Sequence, residues 1–244
     1  MDRDGAIAPS ATTPDAAHLP QSVAHAATVV LLRDGERGLE VLLARRPDSA
    51  RSFPGAWVFP GGMVEPGDAI DGDAAGERAA RRAAVRETEE EIGLVVDPDE
   101  LVPFSQWTPP AGSPKMLITT FFAARVPDGA LRPEPAEVAD LAWMRPAAAL
   151  DRHAAGGMTL WPPTWVTLHQ LGPARSVDAA LAGFRAGEVR SYLSRRLADR
   201  TTLVWQEDSE YPGAAEVRGP ASAAAAVRHR LVMERLPWVY LSDL

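Results

Sequence analysis

Hydrophobic positions fall into short, well-separated runs. His25 to Leu32 is apolar and rich in β-branched residues, which predicts a strand. Asp34-Gly35-Glu36-Arg37-Gly38 then turns the chain, and Leu39 to Arg45 predicts a second strand, giving a hairpin. Arg46 to Gly62 is interrupted by Pro47, Pro54 and Pro60 around one apolar run, Trp57-Val58-Phe59. It reads as a loop, a short strand and a tight Gly-Gly turn. Asp71 to Glu91 is acidic at its start, free of proline and followed by Gly93, which predicts a helix with a glycine C-cap. Leu117 to Val126 gives the strongest strand signal. Val138 to Met144 predicts a short strand and Ala147 to Ala154 a short helix.

The two ends differ from this middle. Residues 1–22 are rich in Ala, Pro and Thr without a period and read as a disordered leader. After Trp161, Pro162 and Pro163 open a helix running to about Leu171, where proline in the first turn is tolerated. Ser176 caps a second helix reaching Ala186, and Leu231 to Leu241 alternates enough for a final strand. The expected organisation is a leader (1–22), an α/β (α+β) domain (23–160) and a helical extension (161–244) packed on it, with that final strand.

Composition narrows the chemistry. The 244 residues include no cysteine, so there is no disulfide framework, thiolate zinc site or thiol nucleophile. A net charge of −8 argues against a generic nucleic-acid binder. No stretch approaches ~18 consecutive apolar residues, so no membrane span is expected. The charged opening and early prolines do not resemble a signal peptide. The expectation is a soluble, cytoplasmic protein. Lys115 is the only lysine, so the abundance of arginine reflects composition and says nothing about phosphate binding.

One segment concentrates charge: Arg86-Glu87-Thr88-Glu89-Glu90-Glu91-Ile92-Gly93-Leu94. At ~100° per residue, Glu87, Glu90 and Glu91 share an arc of about 100°, while Glu89 points away to solvent. Thr88 and Ile92 face the expected core, and Arg86 sits one turn before Glu90. Like charges at this spacing cost ~0.2–0.5 kcal/mol per exposed pair. They also stand at the helix end where the macrodipole disfavours negative charge. A bound cation would account for such a stripe, and an all-oxygen donor set points to Mg²⁺ or Mn²⁺; a plain acidic helix is the alternative. Upstream, Phe59-Pro60-Gly61-Gly62 lets the backbone approach a metal or ligand closely and leaves a carbonyl free to coordinate.

Together these residues resemble the signature box of the Nudix hydrolases. Gly62 to Asp68 stands where that box has a glycine, five residues and a glutamate. Arg86-Glu87-Thr88-Glu89-Glu90-Glu91-Ile92-Gly93-Leu94 matches its second half at every charged position. Asp68 is one methylene shorter than the family's glutamate, Thr88 replaces an aliphatic, and seventeen residues separate Asp68 from Arg86, ten more than in the family pattern. The stretch 69–75 is expected to be an exposed loop. Further upstream, Leu42-Leu43-Ala44-Arg45-Arg46-Pro47, Arg51, Gly55 and Phe59-Pro60-Gly61-Gly62 are similar in register to the coenzyme A-cleaving Nudix enzymes. Ala44 and Pro47 stand where those have Thr and Ser.

The resemblance implies an α/β/α sandwich with a mixed sheet and metal-dependent cleavage of a pyrophosphate. Glu87, Glu90, Glu91 and the Gly61 carbonyl would be the metal ligands, with Arg86 part of the catalytic set. Arg46, Arg51 and Gly62 would bind substrate, and CoA or an acyl-CoA is the expected substrate. A hydrolase of ADP-ribose or NADH, or a non-catalytic nucleotide sensor, is the alternative. The general base is one of the helix glutamates or a carboxylate near Glu134, with Glu137 the candidate. His153, His169 and His229 read as structural, and the tryptophans mainly as core. Trp107, in a proline-rich stretch read as a loop, is a weaker candidate for stacking on an adenine.

Overall fold

The computed structural model describes residues 23–69, 76–113, 115–212 and 226–244. The leader 1–22 and residues 70–75 of the box insertion lie outside the described residues. In chain order the elements begin with β1 (Ala24–Gly35), β2 (Gly38–Arg45), β3 (Trp57–Val58), β4 (Gly61–Met63) and α1 (Glu77–Ile92). Next come β5 (Val102–Thr108), β6 (Leu117–Arg125), β7 (Asp140–Met144), α2 (Pro146–Ala154), α3 (Pro162–Leu171) and α4 (Val177–Ala186). The chain ends with β8 (Arg190–Leu193), β9 (Arg195–Arg196), β10 (Thr202–Val204), β11 (His229–Val232) and β12 (Val239–Ser242).

β1 is the spine. One of its edges runs parallel to β6 from Ala24 to Leu32. Its other edge is divided between two antiparallel partners: β4 covers Ala26 to Thr28, and β2 covers Leu32 to Gly35. The mixed sheet then runs β3-β2-β1-β6-β5-β8, with β7 also on β2. Successive side chains of β1 alternate between two cores, as the period of a strand requires. Val30 and Leu32 enter one, and Ala27, Val29 and Leu31 the other. Burial on both faces explains why β1 reads as an unbroken apolar run.

On one face α1 lays Ala80, Ala83, Ala84 and Ile92 against Val29, Leu31, Leu42 and Phe122. The small alanines bring the helix close to the sheet. On the other face Trp165, Val166, Leu168 and Leu171 of α3 and Leu181 of α4 pack with Trp57, Phe104 and Phe121. Each large apolar side chain buried in this way contributes ~1.5–3 kcal/mol. The result is helix on sheet on helix, as expected.

Four expectations change. α1 begins at Glu77 with Gly76 as N-cap, later than the start expected from the sequence. Gly61-Gly62 is not a tight turn but part of β4, paired with Thr28 and Ala27. Trp107 is not in a loop. It lies in β5, 4% exposed and stacked on Tyr192 with ring centroids 3.8 Å apart, so it cannot meet a ligand. The extension is helical only as far as α4; beyond it β8 joins the main sheet, and β9 to β12 form a second, antiparallel sheet. The single final strand is thus a hairpin of β11 and β12. Among the described residues, no helix is long and apolar enough to cross a membrane.

Candidate metal and phosphate site

The divided edge of β1 generates the site. Because β2 and β4 share that edge, residues 46–60 must cross between them, and β4 is delivered beside the C-terminal half of α1. Thr28 fastens the crossing by donating its hydroxyl to the Pro60 carbonyl at 2.6 Å. Gly61 has φ +150°, and a Cβ there would stand 2.3 Å from the Ala27 carbonyl oxygen. Only glycine fits so close to β1. A Cβ on Gly62 would fall 2.3 Å from the Glu87 carboxyl carbon, so the second glycine leaves the space that Glu87 occupies.

α1 ends at Gly93, whose φ of +75° closes the helix through a bond from its amide to Glu89. The last carbonyls of a helix lack intrahelical donors. Here the Arg132 amide donates to the Ile92 carbonyl at 2.8 Å and the Glu134 amide to the Glu91 carbonyl at 2.9 Å. These bonds hold the 132–138 segment against the helix end. The Glu137 amide turns back onto the Glu134 carbonyl, and Glu137 is set opposite the helix glutamates.

Carboxylate oxygens of Glu87, Glu91 and Glu137 lie within 4.8 Å of one another. Glu91 is 4% exposed and accepts the Gly61 amide at 2.9 Å. Burial, together with the neighbouring Glu87 and Glu137 charges, pushes its carboxyl up to about 7, against the pull of the Gly61 amide and Arg46. Burial also raises Glu87, and Glu90 and Glu137 add to that shift while Arg86 opposes it. Three converging acids, all offering oxygen, fit a hard divalent cation such as Mg²⁺ or Mn²⁺.

Glu90 is not in that group. Its side chain is 56% exposed and accepts Arg86 Nη1 at 3.0 Å. Arg86 also donates to Glu87 at 2.9 Å, to the Met63 carbonyl at 2.9 Å and to Asp68 at 3.0 Å. It therefore ties α1, β4 and the following turn together. Asp68, left without a role by the sequence, is 5% exposed and caps the turn by accepting the Glu65 amide at 2.8 Å. Burial would raise its carboxyl, but the bonds from Arg86 and Glu65 prevail and hold it below the ordinary range. Burial with donors from both helix and turn was the missing signal, and spacing does not carry it.

A cavity of about 410 Å³ opens over the carboxylates, and Arg46, Arg51, Gly61, Gly62 and Met63 line it with them. The expected substrate-binding residues are thus brought to the acidic cluster. The three histidines are not: His153 bonds the Met158 carbonyl, His169 stacks on Trp165, and His229 is buried between Glu207 and Tyr240. Trp57 and Trp165 are core, whereas Trp161 is 43% exposed.

A family model for the NUDIX domain matches residues 23–162. The chain belongs to the Nudix family. A curated relative, an isopentenyl-diphosphate Delta-isomerase from Paenarthrobacter aurescens (strain TC1), is 31% identical over 127 residues, which are 50% of this chain and 64% of that protein. The chain therefore spans less than two thirds of that relative's length. The crystal structure of a NUDIX hydrolase from Alicyclobacillus acidocaldarius matches with a TM-score of 0.59 at 25% identity, over 66% of this chain and 96% of the other. The mixed sheet flanked by helices is the Nudix fold.

Proposed function

We propose that this Nudix protein is a divalent-metal-dependent hydrolase of a nucleoside diphosphate derivative. CoA or an acyl-CoA is the substrate, cleaved to 3′,5′-ADP and (acyl-)4′-phosphopantetheine. The observation that carries the reading is the convergence of Glu87, Glu91 and Glu137 in a cavity that Arg46 and Arg51 also line. Glu87 and Glu91 hold the cation, with Glu90 adding negative charge on the open side. Mg²⁺ bound there would offset the phosphate charge and acidify a water.

The side chains divide the remaining work. Arg46 grips the diphosphate and Arg51 the 3′-phosphate of CoA through their planar forks, which keeps the substrate in an otherwise repulsive acidic cleft. Glu137 accepts a proton from the water whose oxygen attacks one phosphorus. The bridging P–O bond breaks, and its electron pair leaves with the other phosphate. Arg86 positions Glu87 and does not touch substrate. The preference for CoA rests on Arg46, Arg51 and Gly55 keeping the spacing of the CoA-cleaving branch ahead of Phe59-Pro60-Gly61-Gly62.

The test is product analysis with Mg²⁺ across CoA, an acyl-CoA, ADP-ribose, NADH and isopentenyl diphosphate, the last included because of the isomerase relative. Release of 3′,5′-ADP from CoA supports the reading. Faster cleavage of ADP-ribose or NADH moves the substrate, and rearrangement of isopentenyl diphosphate without hydrolysis overturns the reaction.

A further inference from the structure

Two aromatic side chains stand exposed beside the arginine loop with no part in the core. Phe53 is 42% exposed and Trp161 43% exposed, and their rings meet edge to face with centroids 4.4 Å apart and planes at 64°. They come from distant parts of the chain, and each is anchored. Arg46, a cavity residue, donates Nε to the Ser52 carbonyl at 3.0 Å and so fixes the residue before Phe53. The Trp57 amide donates to the Thr159 carbonyl at 3.0 Å and pins the approach to Trp161. Phe53 also sits at φ +54°, a conformation that a bulky side chain rarely adopts. Exposed aromatics held by two anchors on a strained turn are unlike scattered surface apolar residues.

Their place relative to the phosphate grip suggests what they bind. Phe53 follows Arg51 by two residues, so their Cα atoms are at most ~7.6 Å apart. Both side chains therefore spring from one short stretch and can serve a single nucleoside phosphate. An acyl or prenyl chain needs enclosing apolar walls, whereas this pair stands exposed, with Phe53 in the same loop as the cavity residue Arg51. We propose that Phe53 and Trp161 form a stacking ledge for the nucleobase of the substrate, so that the far end of the family-matched region contributes a specificity residue. The proposal deepens the phosphate-site reading and rests on it. Stacking on a π-face selects for a planar base without reading its edge, so it accepts adenine and other bases with modest preference.

AMP contains no anhydride, so its binding separates the ledge from catalysis. Calorimetry with Mg²⁺ would compare AMP with ribose 5-phosphate on wild type, Phe53→Ala, Trp161→Ala and Trp161→Phe. Loss of a stacked ring weakens AMP roughly ten- to a hundredfold. Ribose 5-phosphate is unchanged, and Trp161→Phe recovers most of the AMP affinity. Equal AMP affinity in both alanine variants, or parallel loss of both ligands, overturns the ledge even if the wild type hydrolyses CoA. Geranyl monophosphate is titrated in parallel, and loss confined to it assigns the pair to an apolar chain and likewise overturns the ledge. A wild type that binds AMP through the ledge but cleaves no anhydride contradicts the hydrolase reading alone.

Discussion

The backbone amide of Glu134 bonds to the carbonyl of Glu91, 2.9 Å away, at the end of α1. One bond thus satisfies a helix-terminal carbonyl and holds the loop that carries Glu137 against the helix that carries Glu87 and Glu91. If Glu137 is the base and the helix glutamates hold the metal, the two roles separate by substitution. Glu137→Gln should lower kcat by ~10²–10⁴, while KM and Mn²⁺ affinity change little. Steady-state kinetics beside a metal titration checks this, and parallel loss of metal binding would make Glu137 a ligand.

Arg86 reaches four acceptors on three segments through a planar fork that lysine lacks. Arg86→Lys keeps the charge but can serve only some of these partners. It should cost stability by ~1–3 kcal/mol, from unpaired acceptors including the buried Asp68. Denaturant unfolding measures this, with turnover expected to fall more than substrate affinity. The fall reflects a displaced Glu87.

Arg51 is exposed at the cavity and is the expected partner of a phosphate. CoA carries a 3′-phosphate that dephospho-CoA lacks. A charge-assisted bond to it is worth ~1.5–3 kcal/mol, about one to two decades in kcat/KM. Dephospho-CoA should be the poorer substrate by that factor, and Arg51→Ala should narrow the gap. Equal kcat/KM for the two in wild type would remove the 3′-phosphate argument for CoA.

Acid sensitivity should arise in the second sheet. Asp208 is fully buried, yet bonds from Arg230 and from the Glu210 and His229 amides overcome its burial and hold its carboxyl below the ordinary 3.8. A depressed carboxyl contributes stability above its ordinary value and loses it as pH falls through the folded value. Thermal unfolding midpoints should therefore drop below about pH 4, and less so in Asp208→Asn. Arg230→Met, which strands the buried charge at neutral pH, should cost ~3–5 kcal/mol.

The sequence carried the Nudix-box half of the molecule better than its periphery. β1, β2, α1 and β6 announce themselves through apolar runs and the glycine cap, and the glutamate stripe lies on the predicted face, with Thr88 buried and Glu89 exposed. β5 was missed because Pro103 lacks a ladder donor; a register shift between Pro103 and Ser105 accommodates it. β8 and β9 were missed because arginines on their exposed faces hide an alternation anchored only by Tyr192 and its neighbours. Arg46 and Arg51, read from the register of the resemblance, and Glu137, read from its place ahead of the Val138 strand, all line the cavity. The diversion of Glu90 to Arg86, and the placing of Asp68 beneath it, depend on contacts between segments far apart in the chain.

The most direct test of the carboxylate site is a Mn²⁺ titration followed by the loss of free-ion paramagnetic resonance. Wild type should bind Mn²⁺ in competition with Mg²⁺. Glu87→Gln and Glu91→Gln should each lose that binding while unfolding at the same or a higher temperature without metal, because the repulsion between like charges is relieved. Undiminished Mn²⁺ binding in both variants would contradict the assignment of these glutamates as the metal site.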